Sequence, residues 1–110
     1  GHQFGDYVLK STSKIIENNV RNIDVVSRYG GEEFSVILVN ANKKDSFKTA
    51  DRIRKEIEDH NFIDGIVDEH LTISIGMGEY PKDANTFDEI IRFSDHKMYQ
   101  AKQAGRNCIK

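Results

Sequence analysis

Residues 27–39 read "SRYGGEEFSVILV". The run "IDVVSRY" (23–29) predicts one strand and "FSVILV" (34–39) a second. Gly30 and Gly31 separate them, so the pair predicts a β-hairpin with a glycine turn. The second run is apolar at consecutive positions, as expected of a strand covered on both faces. At the tip stand two adjacent carboxylates, Glu32 and Glu33, which repel each other.

Consecutive glycines remove side-chain bulk, so a ligand can approach the backbone directly. Adjacent strand residues point to opposite faces, so Glu32 and Glu33 should not enter one pocket together. One carboxylate beside such a turn suits Mg²⁺ holding a nucleotide phosphate, because this ion takes one or two carboxylates plus phosphate oxygens. A second carboxylate from elsewhere is needed to hold the ion well. On spacing alone, a solvated hairpin tip is the favoured reading of the same residues.

Working outward, Asp6 precedes "YVLKSTSKIIENNV", where Val8, Leu9, Ile15, Ile16 and Val20 recur at helical spacing. Asp6 fits the N-cap of a helix ending near Asn18 to Asn22. Phe47, Ala50, Ile53 and Ile57 give a second helix over 46–59 with one apolar stripe. "HNFIDGIVDEH" (60–70) is ambiguous, with a turn at Asp64-Gly65. "LTISIGM" (71–77) alternates strictly and predicts a strand. Thr86 and Glu89 form a capping box opening a third helix, lined by Phe87, Ile91, Ser94, Met98 and Ala101. Gly105 closes that helix, and "NCIK" (107–110) predicts a short last strand. Helices and strands alternate, which implies an α/β or α+β domain with a sheet covered by helices.

The chain has 110 residues, enough for one domain with one modest core. A net charge of -2 argues against a basic face for a nucleic acid polymer. A single cysteine, Cys108, excludes an intrachain disulfide and a multi-cysteine zinc site. The four histidines are scattered, which argues against a histidine metal site. No apolar run is long enough to span a membrane, so no membrane contact is expected of this segment. The opening "GHQFGDYVLK" lacks an initiating methionine and suggests a chain cut from something longer.

Arg28-Tyr29-Gly30-Gly31-Glu32-Glu33-Phe34 resembles the signature of the GGDEF family of diguanylate cyclases, in its glutamate variant. "GHQFGDYVL" (1–9), "LTISIGMG" (71–78) and "SDHKMYQAKQAGRNCI" (94–109) resemble further family segments, in the family's order and spacing. The resemblance covers almost the whole chain. It implies an α+β fold (an α/β sandwich), with a central, mainly antiparallel sheet wrapped by helices, like nucleotidyl cyclases and the polymerase palm. Residues 1–110 then form a single, partial domain of this family.

The resemblance also implies the chemistry. Two GTP molecules condense into cyclic di-GMP and two pyrophosphates, with Mg²⁺ or Mn²⁺ at the phosphates and two copies of the domain facing each other as a homodimer. Glu32 matches the metal-binding acid and is a candidate acceptor for the hydroxyl proton. Glu33 either helps position the site or only joins the strand pairing. Gly30 and Gly31 give GTP its close approach. Asp6 matches the reader of guanine, accepting from N1–H and the 2-amino group, while its reading as a helix cap also stands. Lys102 and Arg106 match the grip on the β- and γ-phosphates; by themselves they read as cations at a helix C-terminus. Arg21 and Asp24 match an inhibitory RxxD site that binds the cyclic di-GMP product, with Asp24 reading the base edge and Arg52 as a second arginine. Product bound there reduces turnover through coupling between two sites.

Relatives carry, upstream of "GHQFGD", a strand with a metal-binding aspartate and a guanine-reading asparagine, which residues 1–110 lack. The fragment alone is therefore expected to be poorly active and to expose unpaired edges. Two other readings compete: a non-catalytic receptor for GTP or cyclic di-GMP, and a structural module without a nucleotide site. The intact hairpin acids favour the enzyme. The family's habit places the domain in the cytoplasm, on its own or as part of a larger, even membrane-anchored, protein.

Overall fold

The computed structural model describes residues 2–110. Gly1, which opens the matched segment 1–9, lies outside the described residues, as does the side chain of His2.

Helix α1 runs His2–Asn18. The sequence reading starts this helix after Asp6, and the structure corrects it. Phe4, Tyr7 and Val8 extend the apolar stripe that continues at Ile15 and Ile16, and they pack against the same core. Burying them outweighs the roughly 1 kcal/mol that Gly5 costs a helix interior. Asp6 is thus an exposed position inside the helix and not its cap. Beyond the end of α1, the Asn19 side chain donates back to the Ile15 carbonyl at 2.7 Å.

Strands β1 (Val25–Arg28) and β2 (Phe34–Ile37) form the expected antiparallel hairpin, with Val26 opposite Val36 and Arg28 opposite Phe34. Val26, Phe34 and Val36 turn toward the core. Val25 and Ile37, opposite each other, are 49% and 45% exposed. Coverage on both faces is therefore not met. One face packs against the core beneath α1, and the other meets no element of the described residues that buries it.

Helix α2 (Lys43–Asp59) begins three residues before the predicted Ser46, because Asn42 caps it by accepting from the Asp45 amide at 2.8 Å. Ala50, Ile53 and Ile57 are buried as the stripe requires. Phe47 is 49% exposed. Arg52 already bonds Asn19, just past the end of α1, and Phe47 lies more than a turn further on. The ambiguous stretch resolves into a second antiparallel hairpin, β3 (Phe62–Asp64) and β4 (Val67–Glu69). Phe62 is fully buried among Ile15, Ile16, Ile53 and Ile57 and anchors the core. Removing such a ring costs about 3–5 kcal/mol.

Leu71 and Ile73 reach the core, yet residues 71–77 do not form the predicted strand. One edge pairs in parallel with the C-terminal segment: Ile75 N–H donates to Cys108 O, Met77 N–H to Lys110 O, and Lys110 N–H to Ile75 O, each at 3.0 Å. The other edge has no ladder partner among the described residues, so the pairing is a single bridge, and "NCIK" is likewise a bridge and not a strand. Gly76 lies directly on helix α3 (Phe87–Gln103): a Cβ there would sit 2.0 Å from Ser94 O and 2.3 Å from Met98 N.

Thr86 caps α3 as predicted, accepting from the Glu89 amide at 3.2 Å, while the Glu89 carboxylate reaches the Asn85 amide at 2.9 Å. Ala101 is fully buried, but Phe87 is exposed because it precedes the stretch of α3, from Ile90 to Met98, on which Gly76 and Gly78 pack. Among the described residues, three helices and two antiparallel hairpins make an α+β fold, with each hairpin a separate two-stranded sheet.

Candidate active site

The hairpin tip is held open by its own backbone and one side chain. Tyr29 N–H donates to Glu33 O at 2.7 Å, closing the turn over Gly30, Gly31 and Glu32. The Arg28 guanidinium donates from Nε and Nη2 to the Gly31 carbonyl at 2.9 and 2.7 Å. Gly30 has φ +85°, in the region that favours glycine, and added Cβ atoms at Gly30 and Gly31 would meet nothing within 4 Å. The tip is therefore bare of side-chain bulk, as the sequence suggests. Glu32 is exposed and Glu33 half-buried; both precede β2, which begins at Phe34, so the strand alternation expected of them does not apply. Arg28 opens the signature without an assigned role; its place three residues before Gly31 is the signal for this contact.

Between α1 and the hairpin lies a cleft of about 200 Å³ lined by Leu9, Lys10 and Ser13 on one side and Val26, Arg28 and Phe34 on the other. Asp6 stands one turn before Lys10 on α1, with its carboxylate on an exposed residue. Lys102 and Arg106 lie elsewhere, on and just after the last turn of α3. Among the described residues, no hydrogen bond or ion pair joins Glu32 to Asp6, Lys102 or Arg106. Glu32, Asp6 and the Lys102–Arg106 pair thus stand on three separate elements, with no direct link between them among the described residues.

Among the described residues, no group of three or more His, Cys, Asp or Glu side chains is placed to hold a metal. A single exposed carboxylate at a bulk-free turn fits an ion whose remaining ligands are phosphate oxygens and water, and not a protein-only cage.

The RxxD turn is tightly built. Asp24 has a side chain only 1% exposed, while that of Arg21 is 52% exposed. Arg21 Nη2 donates to Asp24 Oδ1 at 2.9 Å and Nε to Oδ2 at 3.1 Å. The Arg21 and Val39 amides donate to the same carboxylate at 2.8 and 2.9 Å. Arg21 Nη2 also reaches the Val39 carbonyl. The Arg21 guanidinium, helped by the two amides, lowers the Asp24 pKa from 3.8 to about 2. Both Asp24 oxygens are engaged inside the turn, so its geometry is that of a brace for Arg21.

Arg52 donates from Nε to Asn19 Oδ1 at 2.7 Å and from Nη2 to Asn19 O at 2.9 Å. The structure therefore brings Arg52 to within two residues of Arg21 along the chain. A hollow of about 450 Å³, larger than the cleft at the hairpin, runs beside Arg52 along α2 and is lined by Phe47, Lys48, Lys55 and Glu56 among others.

The model of the GGDEF family, described as "Diguanylate cyclase, GGDEF domain", matches residues 1–108. Diguanylate cyclase A of Treponema denticola is 40% identical over 109 residues, covering 99% of this chain and 29% of that protein. The solved EAL/GGDEF domain protein from M. capsulatus superposes with a TM-score of 0.91 at 32% identity, covering all of this chain and 71% of the other. The GGDEF domain of DgcB from Caulobacter crescentus, solved in complex with c-di-GMP, gives a TM-score of 0.89 at 26% identity, over 100% of this chain and 66% of that one. This chain belongs to the GGDEF family of diguanylate cyclase domains. It spans less than a third of the length of the curated relative described above.

Proposed function

We propose that this chain is the catalytic domain of a diguanylate cyclase, which condenses two GTP into cyclic di-GMP and two pyrophosphates. Each copy of the domain holds one GTP, and two copies face each other. The 3′-oxygen of each nucleotide bonds to the α-phosphorus of the other, the bond to the pyrophosphate oxygen breaks, and the hydroxyl proton leaves to a base. The observation that carries this reading is the exposed Glu32 carboxylate beside a bare turn braced by Arg28, in a chain whose family match covers residues 1–108.

In this reading, Gly30 and Gly31 let the triphosphate lie against the turn. Glu32 holds Mg²⁺ or Mn²⁺ and accepts the hydroxyl proton, while Glu33 secures the strand end behind it. The ion supplies charge neutralisation at the phosphate oxygens when bound. Asp6, free of any capping duty, reads guanine through N1–H and the 2-amino group. Lys102 and Arg106 grip the β- and γ-phosphates by charge-assisted bonds. The nucleotide is what joins these otherwise separate groups.

The product binds at a second place, where Arg21 and Arg52 present guanidinium groups to the guanine and phosphates of cyclic di-GMP. A guanidinium fork suits guanine O6 and N7. Asp24 contributes by orienting Arg21, since its oxygens are already engaged by the turn.

The test is incubation of the complete natural protein with GTP and Mg²⁺. Release of two pyrophosphates per cyclic di-GMP supports the enzyme. Nucleotide binding without product supports the non-catalytic receptor instead.

A further inference from the structure

We propose that Asn107 is a positioning residue, which aims the Arg106 guanidinium at the nucleotide's β- and γ-phosphates by clamping the turn after α3 to helix α2. The inference rests on the reading of Arg106 as a phosphate ligand and deepens it.

Helix α3 ends in a tight closure. Gly105 N–H donates to Lys102 O at 3.4 Å and Arg106 N–H to Ala101 O at 3.0 Å. Gly105 has φ +110°, Arg106 +63° and Asn107 +48°, three successive residues in the left-handed region. Glycine adopts it freely, but two further non-glycine residues persist there only where surrounding contacts over-determine the conformation. Asparagine tolerates this region better than most residues, which by itself would explain its presence. Its side chain, however, does more than tolerate the turn.

Arg54 Nη1 donates to Asn107 Oδ1 at 2.9 Å, and Asn107 Nδ2 donates to the Glu58 carboxylate. Arg54 is itself fixed, with Nη2 3.0 Å from Asp51 Oδ1 and Nε donating to the same oxygen at 3.1 Å. Both polar ends of the amide are thus used, by two residues one turn apart on α2 and about fifty positions away in sequence. Downstream, Ile75 N–H donates to Cys108 O and Lys110 N–H donates to Ile75 O, which pins the chain again. Arg106 stands between a closed helix end and a clamped asparagine, with an exposed side chain. Its backbone has little freedom left, which is the condition for holding a long cation on one target at low entropic cost.

The test uses the complete natural protein with Mg²⁺, and compares affinity for a non-hydrolysable GTP analogue with affinity for GMP, which lacks the β- and γ-phosphates. Asn107→Gly keeps the left-handed backbone and removes both side-chain bonds. It is expected to weaken the analogue by about tenfold, the scale of one charge-assisted bond, and to leave GMP unchanged. Arg54→Met removes half of the clamp and is expected to move the ratio the same way; it also serves where Asn107→Gly does not fold. Arg106→Ala sets the full size of the effect. If Arg106→Ala lowers the ratio while both clamp variants keep it, the inference is overturned. It is also overturned if the clamp variants weaken both ligands equally, as a merely structural residue would. If Arg106→Ala itself leaves the ratio unchanged, the phosphate reading of Arg106 fails, and the positioning role with it.

Discussion

Arg28 and Gly31 are joined across the hairpin turn, with two guanidinium nitrogens at 2.9 and 2.7 Å from one carbonyl oxygen. The bond pair fixes the carbonyl just before Glu32, so it sets where that carboxylate starts. Because Arg28 is exposed, its loss should hardly touch folding. Arg28→Ala is expected to lower cyclase turnover by about tenfold while changing stability by less than about 1 kcal/mol. Steady-state rates and a denaturant melt of the same variant check both halves. Arg28→Lys keeps the charge but not the fork and should recover only part of the rate.

The Asp24 carboxylate is depressed from 3.8 to about 2 in the folded protein, mainly by Arg21. A group with a lowered folded pKa stabilises fully above its unfolded value and loses that contribution as pH falls through the folded one. The protein should therefore lose stability between about pH 4 and pH 2 as this carboxylate protonates. Asp24→Asn should be less stable at neutral pH and show a shallower loss over that window. Equal slopes in wild type and variant, read from melting temperature against pH, would count against the brace.

Glu32 and Arg21 belong to separate places in the fold, one at the hairpin tip and one in the turn after α1. Glu32→Gln should abolish synthesis and leave cyclic di-GMP binding intact. Arg21→Ala should do the reverse: turnover at low product is kept, and inhibition by added product is lost. Calorimetric titration with cyclic di-GMP, alongside rates, checks the pair.

Gly76 has no room for a side chain, since a Cβ would lie 2.0 Å from the Ser94 carbonyl oxygen. The obstacle is backbone, which cannot swing aside. Gly76→Ala should destabilise the domain by about 3 kcal/mol, measurable as a lower denaturation midpoint at unchanged slope.

Much of the fold is legible in the sequence, because it is written in local patterns. The Thr86–Glu89 cap, the Gly105 closure and the hairpin about Gly30-Gly31 depend on residues within a few positions of each other. What escapes a sequence reading is long-range. Asp6 reads as a cap until Phe4 and Tyr7 are seen to join the core and carry the helix past it. Residues 71–77 have the alternation of a strand, but a ladder also needs neighbours, and among the described residues only the C-terminal segment supplies one. Phe47 obeys its stripe yet is half-exposed, since the stripe does not say how far the partner surface reaches. Among the site residues, Glu32, Gly30 and Gly31 announce themselves as a motif. The bracing roles do not. Arg28 stands at the head of the motif, three residues before Gly31, but acts through a backbone carbonyl, and Asn107 acts through a helix some fifty residues away, so no side-chain pattern marks either role.

The most direct measurement is the effect of Mg²⁺ on the affinity of a non-hydrolysable GTP analogue, in the complete natural protein and its Glu32→Gln variant. In the wild type, Mg²⁺ should tighten binding by about tenfold or more over a chelator control, and Glu32→Gln should lose that gain while keeping the metal-free affinity. A variant that retains the whole gain would mean that Glu32 does not hold the ion, and the hairpin would not be the place where the triphosphate is gripped.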